Sequence, residues 1–313
     1  MVCEPAEPTI RRRHLLAGAA GLVVGACGGH PPARSSPDRR SGSPPAGTPS
    51  AGTPKAGTSP TPPVTGTPPP AGPRPPPATV APAPVVLARS HVPVLCFHQV
   101  RDWAAGDSPS ARAIITPPQR FAAQIDALAR AGYTTISPDR LLAHLQYGTR
   151  LPARPVMLSF DDASEGQYTH ALPVLLRHRF TATFFVMTVV LDKPRWLGRA
   201  QVRDLHRRGM TIAAHTWDHH PVTRYSRADW PIQLVRPARE LAQLTGSPVR
   251  LFAYPYGLWN QAALPHLRAA GYEAAFQLAQ REDPRAPLLT IRRVIAASSW
   301  DGPALLRHLQ ADF

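Results

Sequence analysis

From residue 85 to the C-terminus, short apolar runs alternate with amphipathic stretches. Val92 to Phe97 is an almost continuous apolar run that ends at His98, the pattern of a strand buried on both faces. Thr116-Pro117 then offers a cap and a first-turn proline. Phe121, Ile125, Leu128 and Ala129 follow at helical spacing until Gly132. Read on in this way, the pattern predicts strands over 134–136, 156–160, 182–187, 210–214, 249–253, 272–277 and 288–296. Helices are predicted over 138–146, 168–178, 199–208, 228–244, 261–270 and 303–309. Repeated strand-then-helix order predicts a parallel α/β fold. No Gly-rich dinucleotide fingerprint follows any strand, which favours a closed or partly closed barrel over an open doubly wound sheet.

The unusual polar residues sit just past the ends of predicted strands: His98, Asp161-Asp162, His215 and Tyr254-Pro255-Tyr256. In a parallel barrel these ends converge on one rim, where active sites are built. Two adjacent carboxylates after an apolar strand would repel each other if left bare. A divalent cation on one, with proton handling by the other, resolves this. His215 and His219 are four apart, so a helical turn would put both on one face; in a loop, His220 could replace His219. With one carboxylate, either pair makes a three-ligand site that leaves room for water and substrate.

Composition divides the chain further. Of its 313 residues 39 are proline, concentrated between Pro31 and Pro84 in Ala-Gly-Thr-Pro and Pro-Pro runs with almost no large apolar side chain. Residues 28–84 are therefore expected to be a disordered, extended linker. Before it, Arg11-Arg12-Arg13, the apolar run Leu15 to Ala26 and Cys27 resemble a lipoprotein signal with a twin-arginine character over residues 1–27. Lipidation of Cys27 would anchor an extracytoplasmic protein to the membrane. Of the three cysteines, Cys3 and Cys27 belong to this segment, so Cys96 is left without a partner in the domain over 85–313. The net charge of +15 would suit an anionic envelope polymer, whereas export and the lack of basic-aromatic clusters argue against nucleic acid.

Ser159-Phe160-Asp161-Asp162 resembles the T-F-D-D motif of the polysaccharide deacetylases, the NodB-homology group or carbohydrate esterase family 4. His215-Thr216-Trp217-Asp218-His219 resembles their H-[S/T]-x-x-H motif. Phe252 to Gly257 resembles the third motif, in the form seen in the exported poly-N-acetylglucosamine deacetylase branch, and Pro93 to His98 resembles that branch's P-V-L-x-Y-H opening. The resemblance implies a distorted (β/α)7 barrel and a divalent metal, zinc or else cobalt, nickel or iron(II). Asp161 would be the catalytic base and His98 the general acid. Asp162, His215 and His219 would hold the metal, with His220 still open because the branch also spaces these histidines five apart. The backbone N–H of Tyr256 would hold the oxyanion. The third motif commonly carries an arginine that orients the base, and Ala253 stands there; Arg293 could supply the charge from a neighbouring strand. A late L-x-H motif has a lookalike in Leu306-Arg307-His308, on the last predicted helix. The implied activity is hydrolysis of N-acetyl groups on an extracytoplasmic polysaccharide by a monomer. Trp217, Tyr254 and Trp259 lie beside the rim as candidate sugar platforms. The competing expectation is a wall-binding lipoprotein without chemistry, which Ala253 favours.

Overall fold

A computed structural model of the chain describes residues 79–313, so the expected signal and most of the expected linker lie outside the described residues. The described part opens with α1 (Ala83–Ala88), which straddles the boundary that composition draws at 84/85. It continues through β1 (Val94–Phe97), β2 (Gln99–Val100), α2 (Pro109–Ile114), β3 (Ile115–Thr116), α3 (Pro118–Arg130), β4 (Thr134–Thr135) and α4 (Pro138–Tyr147). Next come β5 (Pro155–Phe160), α5 (Leu172–Arg177), β6 (Thr183–Val186), α6 (Arg199–Arg207), β7 (Thr211–Ala214) and α7 (Arg236–Thr245). The chain ends with β8 (Leu251–Ala253), α8 (Ala263–Ala269), β9 (Ala274–Phe276), β10 (Val294–Ile295) and α9 (Gly302–Asp312).

The main sheet runs β10-β1-β5-β6-β7-β8-β9, all parallel, with β4 added beside the start of β5. Its far end is not left open. Ile291 bridges to Phe276, donating to the Ala275 carbonyl and accepting from the Gln277 N–H, each at 2.9 Å. Val294–Ile295 then pairs with β1, so seven strands curl into a distorted (β/α)7 barrel. The strand expected over 288–296 is therefore split. Pro287–Leu289 is a 3-10 turn, and the remainder serves two different sheet edges in turn instead of pairing along its length.

Alternation along the strands decides what faces the barrel interior. On β5, Val156, Leu158 and Phe160 join the layer between sheet and helices, where Phe160 stacks on Phe184 at 4.9 Å. Met157 instead joins Val94, Phe185, Ala213, Leu251, Ala253, Ala274 and Phe276 inside the barrel, which Val86, Ile136, Leu141 and Leu145 close at its lower end. The same period-two rule turns Cys96 and His98, Ser159 and Asp161, and His215 inward at the upper end.

Three helices depart from expectation at their starts. α3 begins after Pro117 rather than at a Thr116 cap, because Thr116 is held in β3 against Val100. The helices expected over 168–178 and 228–244 each open with a π-turn, Gln167–Ala171 and Pro231–Val235. Pro173 and Pro237 lie two residues beyond and lack the N–H that would bond the carbonyls of Thr169 and Gln233, which loosens that turn in both places.

Candidate active site

β5 delivers Asp161 and Asp162, and β7 delivers His215. Asp162 and Ala163 turn the chain with left-handed φ of 76° and 68°, so the two carboxylates leave the strand in different directions. The Asp162 Oδ1 atom lies 3.4 Å from His215 Nε2 and 3.4 Å from His219 Nε2. It is buried and has no hydrogen-bond partner, a costly condition unless something else occupies its lone pairs. His215 donates from Nδ1 to the Ala253 carbonyl at 2.8 Å, which fixes the tautomer and leaves the Nε2 lone pair facing Asp162. Around a tetrahedral zinc with ordinary Zn–N and Zn–O bonds, neighbouring ligand atoms stand about 3.4 Å apart. The donor set and its spacing thus fit a divalent cation.

The segment after His215 is a loop, not a helical turn, yet it brings in His219 and not His220. Thr216 and His219 both take left-handed φ, 64° and 70°, and the His219 N–H donates to Thr216 Oγ1 at 2.8 Å. This tight reversal swings the His219 ring back to within 4.9 Å of the His215 ring. His220 instead packs beside Tyr225, ring centroids 5.5 Å apart, and is not among the side chains gathered with Asp162. Gln233 braces the loop by accepting from the Trp217 N–H and donating to Asp218.

Asp161 faces different partners. Arg293, fully buried between Ile291 and β10, donates from Nη1 to Oδ1 at 2.7 Å and from Nη2 to Oδ2 at 2.8 Å. Its guanidinium lies over the Phe185 ring at 5.1 Å, inside the barrel whose β8 wall carries the small Ala253. The Cys96 thiol donates to Asp161 Oδ2 at 3.5 Å, and the Cys96 sulfur lies 3.9 Å from His98 Nδ1. From the start of the π-turn, the buried Gln167 amide donates to the carbonyls of both His98 and Asp161, at 2.8 and 2.5 Å, tying the ends of β1 and β5 together.

The electrostatics follow from these contacts. Burial would raise the Asp161 carboxyl, but Arg293, and after it His215, holds it well below the usual carboxylate range. Burial opposes ionisation of Asp162 too, yet the adjacent His215 and the surrounding imidazoles keep it lowered. Burial and the neighbouring His215 push His219 down to about 4, leaving a neutral imidazole with a free lone pair.

The other expected residues fall on both sides of the rim. Tyr256 has a left-handed φ of 60° in the 3-10 turn after β8, with its exposed ring against His219 at 4.5 Å. The turn bonds there use the N–H groups of Gly257 and Leu258, not that of Tyr256. Tyr254 is not a rim platform: alternation turns it into the helix layer, where its hydroxyl donates to the Leu289 carbonyl at 2.8 Å. Trp217 is half-buried under Arg236, and Trp259 packs against the core. His308 lies on α9, stacked on Trp300 and paired with Asp312, and takes no part in the cluster. Sequence reasoning gave Cys96 no role and overlooked Gln167. The inward alternation of β1 could have placed the first, whereas nothing local marks the second.

Residues 148–275 match the family model described as polysaccharide deacetylase. Among curated proteins, the chain is 22% identical over 182 residues to the putative polysaccharide deacetylase YxkH of Bacillus subtilis, covering 58% of this chain and 62% of that protein. It is 24% identical over 176 residues to the poly-beta-1,6-N-acetyl-D-glucosamine N-deacetylase of Staphylococcus aureus, covering 49% of this chain and 61% of the relative. The chain thus spans about three fifths of the length of these curated relatives. Among solved structures it superimposes on the Streptococcus pyogenes deacetylase PplD with a TM-score of 0.64 at 23% identity, over 70% of this chain and 97% of that one. IcaB from Ammonifex degensii gives 0.58 at 22% identity, over 70% and 95%. Matched sequence, shared barrel and the motifs at its rim agree: residues 148–275 match the polysaccharide deacetylase family, and the fold is that of the solved deacetylases.

Proposed function

We propose that the chain is a metal-dependent hydrolase that removes N-acetyl groups from an extracytoplasmic polysaccharide, poly-N-acetylglucosamine or a peptidoglycan-like glycan. One observation carries this reading. Two adjacent carboxylates have opposite surroundings, Asp162 with a bare oxygen facing two imidazole nitrogens and Asp161 clamped by an arginine. The substrate class is supported by relatives that bear the name poly-beta-1,6-N-acetyl-D-glucosamine N-deacetylase. Ala253 had favoured a binding protein without chemistry; the Arg293 clamp on Asp161 removes that reason.

Asp162, His215 and His219 would hold a divalent cation, zinc in our reading, which when bound would supply Lewis-acid polarisation of the acetyl carbonyl and a pKa for the attacking water lowered from about 15.7 toward 7. Asp161 accepts the proton of that water. Arg293 keeps Asp161 ionised and fixes both its oxygens, at the cost of basicity, so the proton does not rest there. The Tyr256 N–H donates to the tetrahedral oxyanion, a contact often worth about 3 kcal/mol. His98 gives a proton to the sugar nitrogen as the C–N bond breaks, which avoids expelling an amide anion. We further infer that a lipid on Cys27 tethers the protein, as a monomer, to the outer face of the membrane.

The test is acetate release from N-acetylglucosamine oligomers and from peptidoglycan, after chelation and after return of zinc, cobalt or nickel. Release should depend on metal. Asp161→Asn should bind metal normally while losing activity by about 100-fold or more, as expected for removal of a positioned base. A near-normal rate in that variant would sink the assignment of the base.

A further inference from the structure

Beside the Asp162 group lies a second set of metal-ligating atoms: Cys96, His98 and Asp161 each offer one, all within 4.8 Å of one another. Alternation produces this set, because Cys96 and His98 are successive inward positions of one strand and Asp161 is the inward position at the end of its neighbour. Asp161 Oδ2 lies 3.5 Å from the sulfur and His98 Nδ1 lies 3.9 Å from it. Around a tetrahedral zinc, bond lengths of about 2.3 Å to sulfur and about 2.1 Å to nitrogen or oxygen put such ligand pairs about 3.6 Å apart. The sulfur–oxygen pair meets that spacing as it stands, and the sulfur–nitrogen pair needs a shift of a few tenths of an ångström.

We propose that Cys96, His98 and Asp161 form a second, inhibitory site for a thiophilic divalent cation such as Zn2+ or Cd2+. Sulfur, imidazole and carboxylate together select soft or borderline cations. Arg293 does not have to leave, because each carboxylate oxygen has two lone pairs and the cation takes the one now pointed at the Cys96 thiol. Binding exchanges the cation for the thiol proton, which passes to solvent beside the half-buried His98. Arg293 and a cation on Asp162 both repel the newcomer, so the site fills only when metal is in excess of the first equivalent. Once filled, it ties up an Asp161 oxygen and His98 Nδ1 at once. The inhibitory consequence rests on the proposed roles of Asp161 and His98; the binding itself does not.

The experiment uses the full chain carrying one equivalent of zinc, titrated with Cd2+ and separately with excess Zn2+. Bound metal is counted after equilibrium dialysis, the sulfur-to-cadmium charge-transfer band is read in the ultraviolet, and acetate release is followed in parallel. Wild type should take up a second equivalent, develop the band and lose activity. Cys96→Ser and Cys96→Ala should keep the first equivalent and lose the second, and the band at that stage should vanish although Cys3 and Cys27 remain. Whatever their basal rates, these variants should no longer be inhibited by excess metal. Uptake that stops at one equivalent, or a second equivalent and inhibition unchanged in both variants, would overturn the proposal. A wild type that binds two equivalents with the band but releases acetate from no polymer would support the site while refuting the deacetylase reading.

Discussion

Asp161 and Asp162 are neighbours in the chain, yet Arg293 takes both oxygens of the first and none of the second. Removing the arginine would leave Asp161 buried and unpaired, beside a thiol and an imidazole that cannot replace the guanidinium. Arg293→Ala is therefore expected to lower stability by about 3–5 kcal/mol, measured by denaturant unfolding. Arg293→Lys keeps the charge but loses the two-pronged geometry. Its Asp161 carboxyl should titrate higher than in wild type, since burial raises it and the opposing cation is less well placed. The sign is fixed: a carboxylate base works only above its own pKa. The acid limb of the pH–rate profile should therefore move to higher pH in Arg293→Lys, and an unmoved limb would mean that Asp161 does not set it.

At the scale of elements, the alternation that built the barrel was legible wherever an element was long and served one neighbour. β5 and β7 were read to within a residue or two, and so were the residues that leave their ends. What escaped depended on partners far away in the chain. The segment over 288–296 is divided between two sheet edges, and no local pattern reveals that. The choice of His219 over His220 turns on left-handed Thr216 and His219, conformations that residue type alone does not announce. Gln167 acts through carbonyls on two other strands, a role invisible in its neighbours. Packing between elements gives its own test. A Cβ at Gly302, the first residue of α9, would stand 2.6 Å from the Ala127 Cβ on α3. Gly302→Ala should thus lower stability by about 1–3 kcal/mol. Because this contact is remote from the carboxylates, metal binding should be unchanged, and a variant that loses metal as well would show that α3 and α9 hold the rim in place.

For the whole domain, the upper end of the barrel concentrates strain and bare polar atoms that the rest of the fold must support. Seven of the nine non-glycine residues with left-handed φ among the described residues lie on connections at this end, and five of them, Asp162, Ala163, Thr216, His219 and Tyr256, are on the three that carry the proposed metal ligands and oxyanion donor. Such conformations cost on the order of 1–3 kcal/mol each when held in sparsely populated regions, and they persist only where surrounding structure over-determines them. The lower end, by contrast, is closed by aliphatic packing of α1 and α4 against the barrel interior. A cation shared by Asp162, His215 and His219 would bind β5 to β7 across this strained end and satisfy the bare Oδ1, so it should act on folding as well as on chemistry. Metal at a hundred times its dissociation constant should add about 2.7 kcal/mol to the free energy of unfolding. Chelation should remove that increment in wild type, while Asp162→Asn, which cannot offer a charged oxygen, should show little difference with or without metal. A wild-type protein whose unfolding midpoint ignores both chelator and added zinc would place the strain of these connections with substrate binding instead of with the cation.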